Sequence, residues 1–530
     1  MSTGEYPAAR FRGLWPLSRV DARSVPVEVW SLVALVVLAA AIRILTIDNQ
    51  SFWADEALTA YEAHLPFGAM VNTVVHVETT PPLYFVLIWG WAHVFGTSEV
   101  ALRSISTMAG VAMVPIAYLS ARELVSRWAA VLAAAFVMVN PFMIWYSQEA
   151  RAYMLLAALT GASFLWFIRA RRDPSRRNLT WWVVFSALAL MTHFFAGFAV
   201  APEAVWLVWK WRNRVVVLAV AVTALVQTAM APFAFIDTSH GVGWIAAVPR
   251  TSRVADAALE WAVGTVFRRV TVPEGLIGAA AFLALVALLL TFAGDRHTRE
   301  GAGVAAVIAA AVFLVPLALG FLGQDYFLSR NVIPAFIPLV TVVAAACVAP
   351  RARVLGGAFA AVLLAVFSVA TAQVQTHAYL ERPDWRNVAR ALGRATVPRA
   401  ILAADGTTAD PLKIYMPDVN WVELQSRRVL IGEVDVVGAT KRLALASSRP
   451  RPAPLSPAFT RPLIGSPVPR GISPRGARLL TRFRVQNWII ARFALDHPVR
   501  ITIDDLLAIA PRFFRRTPRS LLAFVQEPGR

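Results

Sequence analysis

Two adjacent carboxylates stand just after the first long apolar stretch of the chain. Asp55 and Glu56 open a segment, residues 55–64, whose pattern predicts a short helix. Acids in a first helical turn interact favourably with the positive end of the helix dipole, so helix stabilisation is one interpretation. The same dipole favours an ionised carboxylate, which a general base for a hydroxyl proton must be. As hard oxygen ligands, the two side chains also leave a divalent metal, Mg²⁺ or Mn²⁺, as an alternative.

Three arginines occupy comparable positions at the edges of apolar stretches. Arg103 lies at the start of the second stretch, Arg151 between the third and fourth, and Arg330 just before the tenth. A planar guanidinium suits bidentate binding of a phosphate. The alternatives are a side chain that merely extends to the membrane surface and an ion pair within a loop. The pattern alone leaves these alternatives open.

Five further polar residues are candidates for substrate binding. They are Glu78, Tyr84, Gln148, Glu149 and His193. Polar groups this close to hydrocarbon often mark a functional site. The three-residue spacing of Gln148 and Arg151 predicts that they share a helical face. A solvated loop acid at Glu78, a loop ion pair near Glu149 and a hydrogen-bonded edge residue at His193 are the alternatives.

The composition shows which class of protein must position these residues. The chain has 530 residues, of which 58% are apolar and 16% charged, and its mean hydropathy is +0.58. Soluble domains carry about 25% charged residues, so this is a polytopic membrane protein. The single cysteine, Cys347, excludes disulfides within the chain. We find no P-loop, metalloprotease helix or dinucleotide-binding fingerprint. The net charge of +19 is attributed to membrane topology and anionic lipid, and no nucleic-acid partner is predicted.

A membrane-crossing helix needs about 20 apolar residues, which defines the candidate spans. The hydropathy pattern predicts about eleven transmembrane helices, at residues 27–45, 99–120, 128–144, 152–168, 179–195, 197–209, 215–235, 275–293, 303–322, 332–349 and 355–375. Every second connecting loop is rich in arginine, which predicts a multi-pass protein of the plasma membrane with a cytoplasmic N-terminus and an extracytoplasmic C-terminus.

The same pattern predicts the domain organisation. Residues 1–26 form a cytoplasmic tail, and residues 27–375 a transmembrane catalytic domain, whose first outer loop, residues 46–98, contains a membrane-interface helix over residues 83–95. Residues 376–438 are predicted to be a small extracytoplasmic α/β domain. Residues 439–530 form a basic, Pro-rich tail with 17 basic and four acidic residues. Binding of this tail to anionic lipid and a tail without a partner both remain open.

These motifs, in this order between these spans, resemble the GT-C superfamily of membrane glycosyltransferases. The nearest branch is that of the bacterial relatives of polyprenyl-phosphate-mannose protein mannosyltransferases and aminoarabinose transferases, and the resemblance covers about residues 27–400. It is carried by Asp55-Glu56, Pro81-Pro82-Leu83-Tyr84, Tyr146-Ser147-Gln148-Glu149-Ala150-Arg151, Thr192-His193, Arg330 and Arg382-Pro383-Asp384-Trp385-Arg386. The family usually has His where this chain has Thr79-Thr80 and Tyr where it has Asn331, and these departures concern the substrate.

The resemblance implies a GT-C-like fold and a sugar donor attached to polyprenyl phosphate. It implies transfer to a cell-envelope glycan, lipid or protein on the extracytoplasmic side, with inversion at the anomeric carbon. Asp55 matches the catalytic acid, with Glu56 beside it, and Arg330 matches the basic residue that meets the lipid phosphate, a role for which Arg151 and Arg103 are also placed. No cofactor other than the divalent metal is expected.

The alternative function is a lipid or sugar transporter, or flippase, without chemistry. Many spans with charges at their boundaries suit transport as well. An enzyme requires a base and a phosphate ligand beside the same bond, which predicts Asp55 within ~10 Å of Arg330. A transporter predicts charges that line a path across the membrane. The position of these two side chains therefore discriminates between the two hypotheses.

Overall fold

A bundle of apolar helices with a small sheet domain at one end makes up the protein. The computed structural model describes residues 27–78, 80–235, 243–377, 380–404, 410–417, 419, 428–439, 477–486, 488–502, 505 and 521–528. The predicted N-terminal tail, residues 1–26, and most of residues 440–520 lie outside this part of the chain. The bundle helices are α1 (Val27–Leu45), α5 (Glu99–Leu124), α6 (Arg127–Val139), α7 (Pro141–Ser147), α8 (Tyr153–Arg172), α9 (Arg176–Thr192), α10 (Gly197–Trp211), α11 (Arg214–Met230), α15 (Val272–Leu288), α16 (Arg296–Phe321), α17 (Phe336–Cys347) and α18 (Arg353–Thr376).

The apolar helices confirm a polytopic α-helical membrane protein. Among the described residues, six helices are long and apolar enough to cross a membrane: Val27–Leu45, Glu99–Leu124, Tyr153–Arg172, Val272–Ala293, Arg296–Phe321 and Pro350–Thr376. The pair α6 and α7, bent by 57°, would be a seventh. Helices α9, α10, α11 and α17 stand at predicted positions but are shorter than this test requires, so the count of eleven spans stays a prediction.

Small residues allow the bundle helices to pack closely. Helix α6 buries Ala129, Ala130, Ala133 and Ala134, and a Cβ on Gly301 would lie 2.0 Å from the carbonyl oxygen of Leu124. Between helices in lipid, where the hydrophobic effect does not drive association, such close van der Waals packing is a main stabilising term. The α16 helix is thereby held against the end of α5.

The bend between α6 and α7 has a local cause. Asn140 leaves the helical conformation, and its side-chain oxygen accepts a hydrogen bond from the amide of Met143 at 3.0 Å. Pro141 follows at the first position of α7, where its missing N–H costs nothing. The predicted continuous span over residues 128–144 is therefore broken at this cap. The bend turns residues 145–151 beneath the first outer loop.

The first outer loop folds as a compact unit on the bundle. It contains α2 (Ala54–His64), α3 (Phe67–Thr73), a π-helical turn (Val74–Glu78) and α4 (Leu83–Phe95). These bounds confirm the two predicted helices, over residues 55–64 and 83–95. Phe52, Ala60, Tyr84 and Phe85 form its apolar core.

Short helices connect the remaining bundle helices. They are α12 (Pro232–Phe235), α13 (Gly243–Ala246) and α14 (Arg250–Val263), with short 3₁₀- or π-helical segments at Phe194–Ala196, Gly264–Arg269, Leu289–Ala293, Ile333–Ala335 and Pro350–Ala352. Helix α14 lies between α11 and α15 in the chain and packs against α7. It lies at the same end of the bundle as the first outer loop.

A five-stranded mixed sheet forms the terminal domain. Its elements are α19 (Trp385–Leu392), β1 (Arg399–Ala404), α20 (Pro411–Tyr415), β2 (Val429–Ala439), β3 (Ala477–Val485), β4 (Trp488–Ile501) and β5 (Leu521–Gln526). The strand order is β3-β4-β2-β1-β5, with β1 and β2 parallel and the other pairs antiparallel. The predicted small α/β domain is present in this form.

The predicted boundary at residue 438 is wrong. Strands β3, β4 and β5 come after it, and they hydrogen-bond to β2 and β1 as part of the same sheet. The basic residues of β3 and β4 therefore belong, at least in part, to a folded domain. For example, Arg492 on β4 binds Asp435 on β2 at 3.0 Å. A truncation after Gly438 would remove three of the five strands, so it does not isolate a tail.

Candidate functional site

The two residues predicted to flank the reacting bond are in contact. Arg330 Nη1 lies 3.3 Å from Asp55 Oδ2. The side chains are 23% and 31% exposed, so both are accessible from the surface of the bundle end. The guanidinium of Arg330 also lies over the ring of Tyr153, 5.3 Å from its centre. This separation is well inside the ~10 Å that the enzyme hypothesis requires.

Residues around Arg330 fix the turn that carries it. Trp261 Nε1 donates to the carbonyl oxygen of Ser329 at 3.2 Å, and the Ser329 hydroxyl donates to Glu260. Asn331 donates from its side-chain amide to the carbonyl oxygen of Tyr326 at 2.8 Å. Helix α14 thus holds the turn on one side. This contact could not be predicted from the sequence, because Glu260 and Ser329 are 69 residues apart.

Arg151 lies beside α2, the helix that carries Asp55. Its guanidinium forms a bidentate ion pair with Glu78, with both N–O distances at 2.7 Å. It also donates to the Thr59 hydroxyl at 3.2 Å and approaches the carbonyl oxygen of Asp55 at 3.4 Å. The side chain of Arg151 is 12% exposed and that of Glu78 is 4% exposed. Arg151 and Glu78 therefore lie beside the Asp55–Arg330 pair, and Glu78 is an ion-pair partner, not a solvated acid.

Glu56 and Arg103 do not have the roles predicted for them. Arg103 donates all five of its N–H groups within the protein, two to Glu56 at 2.7 Å each and three to the carbonyl oxygens of Ile47, Gln50 and Ser51. Both side chains are fully buried. Arg103 has no donor left for a phosphate, and Glu56 faces away from the surface, so both stabilise the fold of the first outer loop.

The environment of Glu56 keeps it charged. Burial favours the protonated form, but Arg103, Arg382 and the backbone amide of Ala150 outweigh it and hold the pKa of Glu56 below its usual value. The Ala150 amide donates to Glu56 Oε1 at 2.9 Å. The pair joins α2 to α5 and to the segment before α8.

A metal bound jointly by Asp55 and Glu56 does not fit these positions. Both oxygens of Glu56 accept hydrogen bonds from Arg103, and Asp55 is paired with Arg330. In the part of the chain that the structure describes, no group of three His, Cys, Asp or Glu side chains could hold a metal ion. We therefore derive no step through a metal.

Gln148 and Glu149 are buried parts of a connecting network. The Gln148 amide donates to the carbonyl oxygen of Arg43 at 3.0 Å, and Glu149 accepts from Arg382 at 2.8 Å. Their exposures are 3% and 1%. Residues 148–152 form a turn, so the helical face predicted for Gln148 and Arg151 does not exist. These contacts anchor the segment before α8 and correct the predicted substrate contacts.

Tyr84 and His193 are likewise buried, which corrects their prediction as substrate contacts. Tyr84 is fully buried in the core of the first outer loop. His193 is 6% exposed, and its ring stacks on Phe195, with centres 4.5 Å apart, and lies 5.7 Å from the ring of Tyr153. His193 therefore supports Tyr153, which in turn lies under Arg330. Tyr153 is therefore a site residue that the sequence pattern did not indicate.

Glu62 is a second missed residue. It lies two turns after Asp55 on α2, is fully buried, and among the described residues neither of its oxygens has a hydrogen-bond partner. Burial, reinforced by Glu78, raises the pKa of Glu62 to about 9, against the opposing charge of Arg151. Glu62 is therefore a neutral acid at pH 7, beside the Glu78–Arg151 pair.

Glu62 makes the stability of the protein depend on pH. The unfolded carboxyl releases its proton near pH 4.5, whereas the folded one keeps it to about pH 9. The folded state then binds more protons, so stability falls as the pH rises between these values. We expect Glu62→Gln to reduce this slope in thermal unfolding measured from pH 5 to 9. Glu527→Gln, at an exposed position, should leave it unchanged. An identical slope in wild type and Glu62→Gln would contradict this assignment.

One family and several solved structures are similar to this chain. Residues 79–234 match the family described as dolichyl-phosphate-mannose-protein mannosyltransferase. This range contains Arg151 and leaves out Asp55 and Arg330. The match covers less than a third of the chain. Among proteins of curated function, none matches the sequence.

The structural matches cover more of the chain. The structure of ArnT from Cupriavidus metallidurans bound to undecaprenyl phosphate aligns with a TM-score of 0.51 and 12% identity, over 88% of this chain and 98% of that one. Its apo form aligns with a TM-score of 0.50 over the same shares, also at 12% identity. An oligosaccharyltransferase from Archaeoglobus fulgidus aligns at 0.40 and 16% identity, over 68% of this chain and 54% of its own. At these identities the ArnT matches establish the fold alone.

Proposed function

Because this chain has the fold of the GT-C superfamily of membrane glycosyltransferases, we propose that it moves a sugar from a polyprenyl-phosphate donor to a cell-envelope acceptor. The single observation that carries the proposal is the accessible contact between Asp55 and Arg330. A carboxylate and a guanidinium at one partly exposed point can provide a base for a hydroxyl and a cation for a leaving phosphate. The undecaprenyl phosphate bound by the structurally similar ArnT supports a lipid phosphate as the ligand.

Asp55 acts as the general base in this proposal. In the absence of substrate, its carboxylate is the partner of Arg330. A donor phosphate, which matches the guanidinium fork in geometry, replaces Asp55 as that partner and frees the carboxylate. Asp55 then takes the proton of the acceptor hydroxyl while the hydroxyl oxygen bonds to the anomeric carbon. The bond from that carbon to the phosphate oxygen breaks, its electron pair leaves with polyprenyl phosphate, and the configuration inverts.

Arg330 stabilises the phosphate that departs. It is more exposed than Arg151, whose guanidinium is already engaged with Glu78 and Thr59. Arg330 therefore makes the first contact with the phosphate, and Arg151 adds positive charge from beside it. The face of Tyr153 beneath the Arg330 guanidinium limits its orientations. In this proposal the cation therefore stands where negative charge develops in the transition state.

Arg330 should determine donor affinity. We expect Arg330→Ala to weaken binding of polyprenyl phosphate about ten- to hundredfold, because hydrogen bonds to charged groups are worth ~1.5–3 kcal/mol. Arg330→Lys should restore only part of it, since an ammonium lacks the planar fork. Titration of the purified variants with polyprenyl phosphate measures this, and Arg390→Ala, which changes an exposed arginine of the terminal domain, is the control. Unchanged affinity in Arg330→Ala would refute the assignment.

The sugar and the side of transfer belong to the proposal as well. Mannose is the first donor to test, because the family matched over residues 79–234 is a mannosyltransferase family. We place the site on the extracytoplasmic side, with a cytoplasmic N-terminus, because the arginine-rich loops lie at the opposite ends of the helices. There a lipid-linked donor is required, since nucleotide sugars are cytoplasmic.

Deletion of the gene in its native host tests the proposal in the cell. Mass spectrometry of the envelope glycans, lipids and proteins should show the loss of one sugar substituent, restored by wild type and not by Asp55→Asn. The mass of the lost group identifies the sugar, and the molecule that carried it identifies the acceptor. An unchanged envelope, under conditions in which the protein is expressed, would speak against the proposal.

A further inference from the structure

A cavity at the end of the bundle remote from Asp55 is not used by the proposed reaction. It has a volume of about 620 Å³ and lies between the ends of α5, α8, α10 and α16. Its lining includes Leu124, Arg171, Arg172, Trp206 and His297. Helix α8 begins at Tyr153 beneath Arg330 and reaches this cavity after 20 residues, or ~30 Å at 1.5 Å per residue. The cavity therefore lies at the opposite membrane surface.

The polar part of the cavity is basic. The guanidinium of Arg171 lies over the ring of Trp206, and among the described residues its buried Nε has no hydrogen-bond partner. Lys210 adds a second charge beside it, because its amine donates to the carbonyl oxygen of Arg171 at 2.6 Å. The acid of the lining, Glu300, is bound to Arg296 at 2.7 Å. A buried N–H of a guanidinium without an acceptor favours an anion as its partner.

The remaining wall of the cavity is apolar and open towards the bilayer. Val304 and Val307 of α16 line it, and Val307 is 50% exposed. A Cβ at Gly303 would meet nothing within 4 Å, so this position leaves open space beside them. The cavity thus combines a basic end at the membrane surface with an apolar flank along the hydrocarbon. That is the chemical pattern of a phospholipid with an anionic headgroup.

We propose that this cavity binds an anionic phospholipid of the bilayer leaflet opposite the proposed active site. The headgroup phosphate lies against Arg171 and Arg172, and an acyl chain runs along α16 past Gly303. The site is separate from the donor site, since the two lie a membrane thickness apart. It holds α8, which carries Tyr153 at its other end, against α10 and α16.

Lipid titration of the delipidated full-length protein tests this proposal. Short-chain phosphatidylglycerol should bind at least tenfold more tightly than phosphatidylcholine of the same chain length. Arg171→Gln/Arg172→Gln should abolish this preference. Arg176→Gln/Arg177→Gln removes the same charge from two exposed positions at the start of α9 and should change phosphatidylglycerol affinity by less than twofold. An equal loss in both double variants would show attraction to surface charge alone and overturn the site.

A second variant and a second ligand keep the test independent of folding. Gly303→Leu fills the open space without changing any charge. It should weaken the binding of phosphatidylglycerol at least fivefold, while the variant elutes from a size-exclusion column at the same volume as wild type. Full phosphatidylglycerol affinity in Gly303→Leu would exclude an acyl chain at this position. Binding of polyprenyl phosphate should be the same in wild type and Arg171→Gln/Arg172→Gln. A loss of polyprenyl phosphate binding in this double variant would assign the cavity to the donor lipid and overturn the proposal.

Discussion

Replacement of Asp55 by Asn should lower the turnover of the purified protein about 10²- to 10⁴-fold, the range that a positioned general base contributes. Asn keeps the size of the side chain but has no basic oxygen for the acceptor proton. Because Asp55 is at the surface of the site and is 31% exposed, the substitution should leave the fold intact. Rates of polyprenyl phosphate release measure the effect.

The control for this variant is Asp48→Asn. Asp48 belongs to the same outer region, its side chain is 61% exposed, and it pairs with Arg386 at 3.3 Å, away from Arg330. Its substitution should keep turnover within twofold of wild type. Donor affinity of Asp55→Asn should be equal to or higher than that of wild type, since Arg330 loses a competing partner. Wild-type turnover in Asp55→Asn would refute Asp55 as the base.

Arg103→Ala should destabilise the protein by about 3–5 kcal/mol, because it leaves the buried carboxylate of Glu56 without its cation. We expect a lower yield of folded protein and a lower midpoint of thermal unfolding in detergent. Arg127→Ala is the matched control. Arg127 pairs with Glu28, and its side chain is 62% exposed. Such surface ion pairs contribute less than about 1 kcal/mol to stability.

A double variant separates the charge from the packing in this pair. Arg103→Met/Glu56→Gln removes both charges and keeps comparable volumes, so it should be more stable than Arg103→Ala. Donor affinity in the folded fraction of Arg103→Ala should be close to that of wild type. A selective loss of phosphate binding with unchanged stability would restore Arg103 to the donor site.

The loops that carry the site could be predicted from the sequence. Which residue of each loop lies in the site could be predicted less well. Asp55 and Glu56 have the same chemistry, but neighbours on a helix point about 100° apart. Glu56 shares a helical face with Ala60 and Ala63, both buried, and this apolar spacing indicates the inward side. Helical phase could therefore have separated a structural carboxylate from a catalytic one.

Contacts between distant segments could not be predicted from the sequence. Arg103 and Arg330 are both arginines at the edge of an apolar stretch, and only the fold pairs one with Glu56 and the other with Asp55. Glu62 gave no signal either, since an acid in a short amphipathic helix normally faces solvent. Its burial follows from the packing of α2 against α4.

A long segment between two strands made the extent of the terminal domain difficult to predict from the sequence. Residues 440–476 separate β2 from β3, so the pattern of alternating strands is interrupted and the later segment was predicted to be a basic tail. Yet Arg482 and Arg484 lie two residues apart on one face of β3, which is the period of a strand. Strand periodicity of the arginines was the signal that could have extended the domain.

A reaction of purified protein, reconstituted in liposomes, with a synthetic mannosyl polyprenyl phosphate tests glycosyl transfer most directly. Chromatography of the lipid fraction, together with the configuration of the released or transferred sugar, measures the outcome. With Asp55 as the general base, we expect cleavage to free polyprenyl phosphate and a sugar product of inverted configuration, both lost in Asp55→Asn. Passage of the intact lipid-linked sugar across the liposome membrane, at the same rate in wild type and Asp55→Asn and without cleavage, would contradict glycosyl transfer and favour a transporter.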